Sequence, residues 1–440
     1  MSDSSLQSDD GEPLLTVRNL KKHFDTSTGL TDRLLGGGQS VKAVDGVDLT
    51  LHEGETLAVV GESGCGKSTL GRAILNLHQP TDGTVRYGGE DITHLSGKEM
   101  KPYRQKLQLI FQDPLSSLNP RQTVNEIISA PMEVHGIGDS AADRRERVEE
   151  LLVQVGLKES HADRYPHQFS GGQQQRVGIA RALALEPRVI VADEPVSALD
   201  VSVQAQILNL LSELQSSYGL SLLTITHDLS VVSQIADRVA VMYLGEIVEI
   251  GPVEQIFERP QHPYTRALLS AVPRIDAADR TDRILLKGSV PSPINPPSGC
   301  RFHTRCPEVI PSSAWPGNQS TFREAFRFYN RLLHEELEID LVRERLENEG
   351  RSTDTDTVAT QLLDESFQMP IEELPDDVQT VMYEIARHLI EDNREQAIET
   401  AQGVLDSPCK QSKPEMQVSG ASQASCHLLT AEVTPTISPE

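Results

Sequence analysis

The sequence predicts an α/β protein: a parallel sheet core carrying an inserted helical subdomain, with a cysteine-bearing extension behind it. Three observations predict it. The stretch GESGCGKST, residues 61–69, follows an apolar strand-like run at 55–60 (ETLAVV) and opens a helix-like run at 69–77. Two more apolar runs, 188–193 (RVIVAD) and 221–226 (SLLTIT), read as buried parallel strands on either side of an amphipathic segment at 203–214. Ahead of them, residues from about 123 to 185 read as helical, with 144–155 and 172–185 carrying the helical period between Pro, Gly and Tyr-Pro punctuation.

The remaining elements follow in order. Residues 1–12 are polar and acidic and read as a disordered tail. Residues 14–20 and 41–51 alternate as strands, joined by a Gly-rich loop at 26–40 with Phe24 at its lip. Residues 83–87 form a short strand, and 106–111 another that ends in Gln112-Asp113-Pro114. Residues 239–243 and 246–250 form a hairpin around Leu244-Gly245. From about residue 288 the texture changes: PSPINPPSGCRFHTRCP reads as an ordered loop, and 320–350 and 371–403 as acidic, helix-like segments with a polar link at 351–357. Phe322, Phe326, Leu332 and Leu333 supply an apolar stripe there. The end, from about 428, reads as frayed. The expected domains are thus residues 13–272 and 273–440, the second holding an acidic helical insertion at about 307–405.

With 440 residues the chain can bury a sizeable core. Its formal net charge of −25 argues against nonspecific nucleic-acid binding. It suits a solvated, self-repelling surface or a salt-rich cytoplasm, where screening tolerates a dense carboxylate coat. No apolar run is long enough to span a bilayer, and the first residues are not a signal peptide. A cytosolic chain is expected, with its five cysteines free or ligating a metal or cluster rather than paired as disulfides.

The chemistry begins at the loop. Gly61, Gly64 and Gly66 let the backbone turn its N–H groups toward a phosphate, with Glu62, Ser63 and Cys65 between them. The helix opening near Thr69 aims its positive end at the same anion. Lys67 supplies a full charge for the β- and γ-phosphates, and the Ser68 hydroxyl suits Mg²⁺. Cys65 has a largely free side chain and no expected redox role. A hydrolase also needs a carboxylate near Mg²⁺ and a base for water; Asp193 and Glu194, at the carboxyl end of a strand, supply both.

Further motifs carry a resemblance. FSGGQQQR at 169–176 is one apolar substitution from the LSGGQ signature of ATP-binding cassette (ABC) proteins. SALD at 197–200 resembles their D-loop, Thr226-His227-Asp228 their switch histidine and Phe111-Gln112-Asp113 their Q-loop, all in the family's order. The resemblance implies a P-loop NTPase fold with an antiparallel β subdomain and the inserted helical subdomain. It implies ATP and Mg²⁺ as ligands, and two cassettes that sandwich two ATPs. Ser170, Gly171, Gly172 and Gln173 would close on the γ-phosphate held by the opposite cassette. Asp200 would link the two sites, His227 would contact the γ-phosphate, and Gln112 would reach Mg²⁺ along with Ser68 and Asp193. Glu194 would be the catalytic base and Lys67 a charge stabiliser; Phe24 is the candidate to stack on adenine.

More narrowly, VKAVDGVDL, VGESGCGKSTLGRAIL, IFQDPLSSLNPR and GEIVEIGPVEQIFERPQHPYTRALLSAVP resemble the ATPase subunits of dipeptide and oligopeptide importers; with its acidity, the chain is similar to haloarchaeal members. Related nickel importers share much of the pattern. The resemblance implies a peripheral subunit on the cytoplasmic face of the membrane, with two permease subunits, a second homologous ATPase and an extracytoplasmic substrate-binding protein as partners. Residues 114–128 would meet the permease. A non-transport cassette is the rival, but such proteins generally carry two cassettes in one chain or a long coiled-coil insertion, and this chain has one signature and one phosphate loop. Cys300 and Cys306, with Cys409 and Cys426, resemble the two halves of the family's iron–sulfur motif, here interrupted by the acidic insertion. A [4Fe–4S] cluster, plain buried thiols and zinc remain open for them. The insertion itself is either a solvated helical pair covering its own apolar stripe or a docking surface for the partner ATPase or a regulator.

Overall fold

The computed structural model describes residues 12–26, 39–197, 199–272, 283–286, 288–333 and 335–430. The expected tail, most of the Gly-rich loop and the far C-terminal end lie outside these residues, as does Ala198 of the SALD stretch.

The organising element is an eight-stranded sheet. Its central strands are β3 (Thr56–Val60), β7 (Val189–Asp193) and β8 (Ser221–Thr226), every residue of which is buried. Strands covered on both faces need continuous apolar runs, and these have them. The order from the middle outward is β7–β8–β3–β9 (Arg238–Tyr243), all parallel, with β6 (Leu107–Ile110) parallel to β7 at one edge. β10 (Glu246–Pro252) turns back antiparallel on β9 through Leu244-Gly245, as the hairpin pattern predicts. Register sets the function: Val60 lies opposite Thr226, and Asp193 opposite Ile225. The carboxyl ends of β3, β7 and β8 therefore open onto one edge.

A second, antiparallel sheet runs β2 (Ser40–Leu51), β1 (Leu15–Asp25), β4 (Asp82–Tyr87), β5 (Glu90–Asp91). Leu15, Val17, Leu20, Val44 and Val47 of this sheet share one core with Leu57 and Val59 of β3 and with Leu70 and Ile74 of helix α1 (Lys67–Ile74). The helical subdomain contains α2 (Val124–His135), α3 (Ala141–Gln154) and α4 (Gly171–Leu183). Each starts on a reciprocal cap, Thr123 with Glu126, Ser140 with Asp143 and Ser170 with Gln173. Beyond it come α5 (Val201–Tyr218), α6 (Leu229–Ile235) and α7 (Pro263–Ser270). Among the described residues no helix is long and apolar enough to cross a membrane.

The insertion contains more helix than the sequence pattern suggests. It forms α8 (Gln319–Leu333), α9 (Ile339–Asn348), α10 (Thr355–Ser366), α11 (Asp376–Ile390) and α12 (Arg394–Val404). The polar link at 351–357 gives way to a helix start, because Asp354 accepts the Thr357 N–H at 2.9 Å as an N-cap. Phe322, Phe326 and Leu332 are buried and Leu333 partly so, in a core with Phe328, Tyr329, Val358, Leu362, Met382 and Ile385. The chain then returns. Strands β11 (Met416–Ser419) and β12 (Ser422–Ser425) form a hairpin, and β12 pairs antiparallel with β10. Their polar sequence, MQVSGASQAS, hides them from any hydrophobic alternation.

Candidate active site

The loop after β3 wraps the start of α1. Gly66 caps this helix at φ 108°, and a Cβ there would stand 1.9 Å from the Ala43 carbonyl oxygen, so only glycine fits. Lys67 folds back over the loop: its Nζ donates to the carbonyl oxygens of Gly61 at 2.8 Å and Glu62 at 3.0 Å. It is buried, as a charge can be only when so paired. Ser68 Oγ donates to Asp193 Oδ1 at 2.6 Å, which ties the loop to the end of β7. Arg72, one turn further along α1, lies 3.5 Å from the other Asp193 oxygen.

Glu194 leaves β7 with φ 47°, a left-handed conformation that costs a non-glycine residue about 1–3 kcal/mol. The turn is held by its N–H, which donates to the Ile225 carbonyl of β8 at 2.8 Å. Both carboxylate oxygens are engaged. Gln112 Nε2 donates to Oε2 at 2.8 Å, and His227 Nδ1 lies 3.1 Å from Oε1. Gln112 follows β6, Glu194 follows β7 and His227 follows β8. Adjacent parallel strands thus deliver the three side chains to one point.

These groups border a cleft of about 230 Å³ lined by Ser63, Gly64, Cys65, Gly66, Lys67, Ser68 and Thr69, with Gln112 and Glu194 on one side and Val41, Leu244 and Pro293 on the other. Phe24 is not among its lining residues. It pairs across β1–β2 with Val41, meets His78 edge-on at 5.5 Å and lies under Lys22 Nζ at 4.8 Å. Those two contacts hold the ring at the sheet margin, while Val41 borders the cleft. Ser170, Gly171, Gly172 and Gln173 open α4 away from the cleft, with Ser170 and Gly171 exposed; Asp200, also exposed, precedes α5.

The extension reaches this site in ways that attention to its cysteines alone does not reveal. Arg305 makes a two-pronged pair with Glu62 of the phosphate loop, at 2.7 and 3.1 Å, although its side chain is only 7% exposed. The Glu62 N–H donates to Tyr264 Oη at 2.9 Å. Arg301 donates to the Leu244 carbonyl at 2.5 Å and pairs with Asp45 and Glu246. The Lys42 N–H donates to the Pro293 carbonyl at 3.0 Å. The available signal was the two arginines set between the cysteines of GCRFHTRCP.

Cys300, Cys306, Cys409 and Cys426 line one small cavity of about 10 Å³, together with His262. Burial pushes all four thiols up, Cys300 to about 12 and Cys426 to about 11. As free thiols they are neutral near pH 7. Burial lowers His262 to about 3, and its Nδ1 accepts the Tyr264 N–H at 3.1 Å, so Nε2 carries the proton; that N–H is buried and finds no acceptor among the described residues. Among these residues no three or more His, Cys, Asp or Glu side chains stand in an arrangement ready to grip a metal.

Three known families match parts of the chain. Residues 44–197 match the ABC transporter family. Residues 248–312 match the oligopeptide/dipeptide transporter C-terminal region, and 319–422 a domain of unknown function (DUF8228). The chain belongs to the ATP-binding proteins of the ABC transporter family, in its oligopeptide transport branch. It is 56% identical over 301 residues to the putative oligopeptide transport ATP-binding protein YkfD of Bacillus subtilis, covering 68% of this chain and 89% of that one. It is 53% identical over 316 residues to the oligopeptide transport ATP-binding protein OppF of Salmonella typhimurium, covering 71% and 94%. Among solved structures, the ATP-binding cassette MJ0796 in a dimeric post-hydrolysis state bound to ADP and Pi is similar at a TM-score of 0.49 and 32% identity, over 54% of this chain and 98% of that one.

Removing the loop's partner tests how the extension is fastened. Glu62→Ala leaves the Arg305 guanidinium without a counter-charge and should cost about 3 kcal/mol of stability, read as a lower denaturant midpoint. Glu62→Gln, which keeps an acceptor oxygen, should cost less. A midpoint unchanged by either variant would show that the pair does not fasten the extension.

Proposed function

We propose that this chain is the ATP-hydrolysing subunit of a membrane importer of di- and oligopeptides. It acts at the cytoplasmic face as one of two cassettes, the other a homologous chain. Two permease subunits carry the cargo and an extracytoplasmic binding protein delivers it, so the peptide does not touch this chain. The observation that carries the ATPase reading is the double hold on Glu194, by Gln112 and His227, beside the Ser68–Asp193 contact.

On this reading the loop N–H groups and Lys67 grip the ATP phosphates, and Lys67 stays on the phosphoryl oxygens as charge develops. Ser68, Asp193 and Gln112 fit Mg²⁺, being oxygen donors on facing elements; when bound, the ion neutralises charge on the phosphate oxygens. Glu194 takes the proton from the attacking water, and His227 steadies that carboxylate and the γ-phosphate. Ser170, Gly171, Gly172 and Gln173 present an exposed helix start to the partner cassette's ATP, and Asp200 connects the two sites. Residues 114–128 meet the permease. Phe24, at the sheet margin beside Val41, stacks on adenine. The chain's acidity suits a salt-rich cytoplasm, and the low-salt stability of the purified chain would test that part.

The four cysteines fit a [4Fe–4S] cluster in donor type and number. They share one buried cavity with an unpartnered N–H from His262. The cavity holds about one water as it stands, so the thiols must turn outward and ionise to bind iron. A bound cluster would join the loop at Cys300 and Cys306 to the returning chain at Cys409 and Cys426. Protein purified without oxygen should absorb near the visible thiolate–iron band and yield iron and sulfide in equal amounts. Colourless protein with stoichiometric zinc, or with no metal, would remove the cluster.

Glu194→Gln should bind ATP normally and hydrolyse it about 100-fold more slowly or worse, measured as phosphate release from the assembled transporter. Lys67→Ala should weaken ATP binding itself. An unchanged turnover in Glu194→Gln would overturn the base assignment.

A further inference from the structure

Among the described residues, a cleft larger than the one at the phosphate loop lies elsewhere. A space of about 920 Å³ lies between helix α8 and the loop that carries Cys306. It falls partly in the domain of unknown function, and nothing in the ATPase cycle uses it. Its lining is cationic, although the chain as a whole carries −25. Arg305, Arg323, Arg327 and Arg331 all border it.

The three carboxylates on its walls answer that charge only in part. Glu324 is taken by Arg327 and by the Gln368 N–H at 3.1 Å, Glu365 pairs with Arg345 at 2.6 Å, and Glu336 shares the lining with Arg283, Arg323 and Arg331, which outnumber it. Arg305 spends its guanidinium ends on Glu62. The other two reach backbone carbonyls: Arg323 that of Pro307 at 2.9 Å, and Arg331 that of Glu336 at 3.3 Å.

Three buried polar atoms on the same walls have no hydrogen-bond partner among the described residues: Thr304 Oγ1, Arg305 Nε and Asn330 Nδ2. Asn330 is only 7% exposed. The Arg305 and Asn330 atoms can only donate. A buried donor left unpaired costs about 1–3 kcal/mol, and native interiors rarely keep such a group without a ligand or water to meet it. Phe326 and Phe367 give the cleft an apolar side. Its size is that of small-molecule sites generally.

We propose that this cleft is a binding site for a small organic anion, a carboxylate or phosphate carried on an apolar or aromatic body. Arg323 and Arg331 meet the anionic group, Asn330, Thr304 and Arg305 Nε turn from the wall to donate to it, and the two phenylalanines cover the body. The site is also an effector site by position. Arg305 touches the cleft through Nε and the phosphate loop through Glu62, so an occupant stands one side chain from the nucleotide. The inference rests on the cleft alone and does not depend on which solute the importer carries.

The test uses the full chain carrying Lys67→Ala, which weakens the phosphate loop as a competing anion site. Phenylacetate and AMP are titrated calorimetrically; phenylacetate reports a carboxylate on an aromatic body, AMP a phosphate on one. One of them should bind saturably, one per chain. Adding Asn330→Leu or Arg331→Gln should weaken that binding at least tenfold. Because the Asn330 amide N–H₂ is unpaired in the protein alone, Asn330→Leu should leave the melting temperature unchanged or raise it. The half-buried Arg331→Gln keeps the test decisive should the Asn330 variant fold poorly. No binding of either anion, or binding that both substitutions leave intact, overturns the proposal.

Discussion

Everything in the cassette depends on the in-register parallel pairing of β3, β7 and β8. That pairing brings three carboxyl ends to one edge, and each end carries a different function. The phosphate loop follows β3, the Asp193–Glu194 turn closes β7, and His227 follows β8. The hydrogen bonds that fix the site run between these ends: Ser68 to Asp193, the Glu194 N–H to Ile225, and His227 beside the Glu194 carboxylate. A slip of one residue in any strand would turn its side chains to the other face and dismantle the constellation. The apolar runs TLAVV, VIVAD and SLLTIT are the energetic reason the register holds, since every one of their residues is buried.

The C-terminal extension is fastened to that edge rather than appended to the cassette. Arg305 and Tyr264 both engage Glu62 in the phosphate loop, Arg301 reaches Leu244, Asp45 and Glu246, and Pro293 borders the nucleotide cleft. The returning chain adds β12 to β10, so the main sheet ends in residues more than 150 positions away from its neighbouring strand in sequence (Ala424 beside Glu249). The five-helix insertion buries its own aromatic core and leaves most of its acidic residues outward, the buried Glu324 excepted. The cysteine loop also carries Arg305, which borders the cationic cleft and pairs with Glu62 of the phosphate loop.

Much of this was legible in the sequence where local chemistry and tertiary role coincide. A glycine-rich turn between a strand and a helix needs no long-range information, and neither do apolar parallel strands or the Leu244-Gly245 hairpin. The ends of strands 106–111, 188–193 and 221–226 already placed Gln112, Glu194 and His227 as strand-terminal residues, and the sheet order brings them together. What escaped was decided by distant partners. The polar hairpin of β11 and β12 exists because β10 offers an open edge, and its sequence has no alternation to announce it. The helix at Thr355–Ser366 hid behind a polar link that is in fact its cap. The contacts of Phe24 with Lys22 and His78, at the margin of the sheet, likewise have no local signature. The roles of Arg301 and Arg305 have no local signature, because an arginine's partner hundreds of residues away leaves no trace in the sequence around it.

That this chain powers a membrane importer as one of a pair of cassettes is decided by recovering the full chain from its native membrane in mild detergent and identifying the subunits that come with it. Two permease subunits and a second, homologous ATPase should come in stoichiometric amounts. Recovery of the chain without any membrane partner, or bound to ribosomes or DNA, would contradict it while leaving the nucleotide chemistry of the cleft in place.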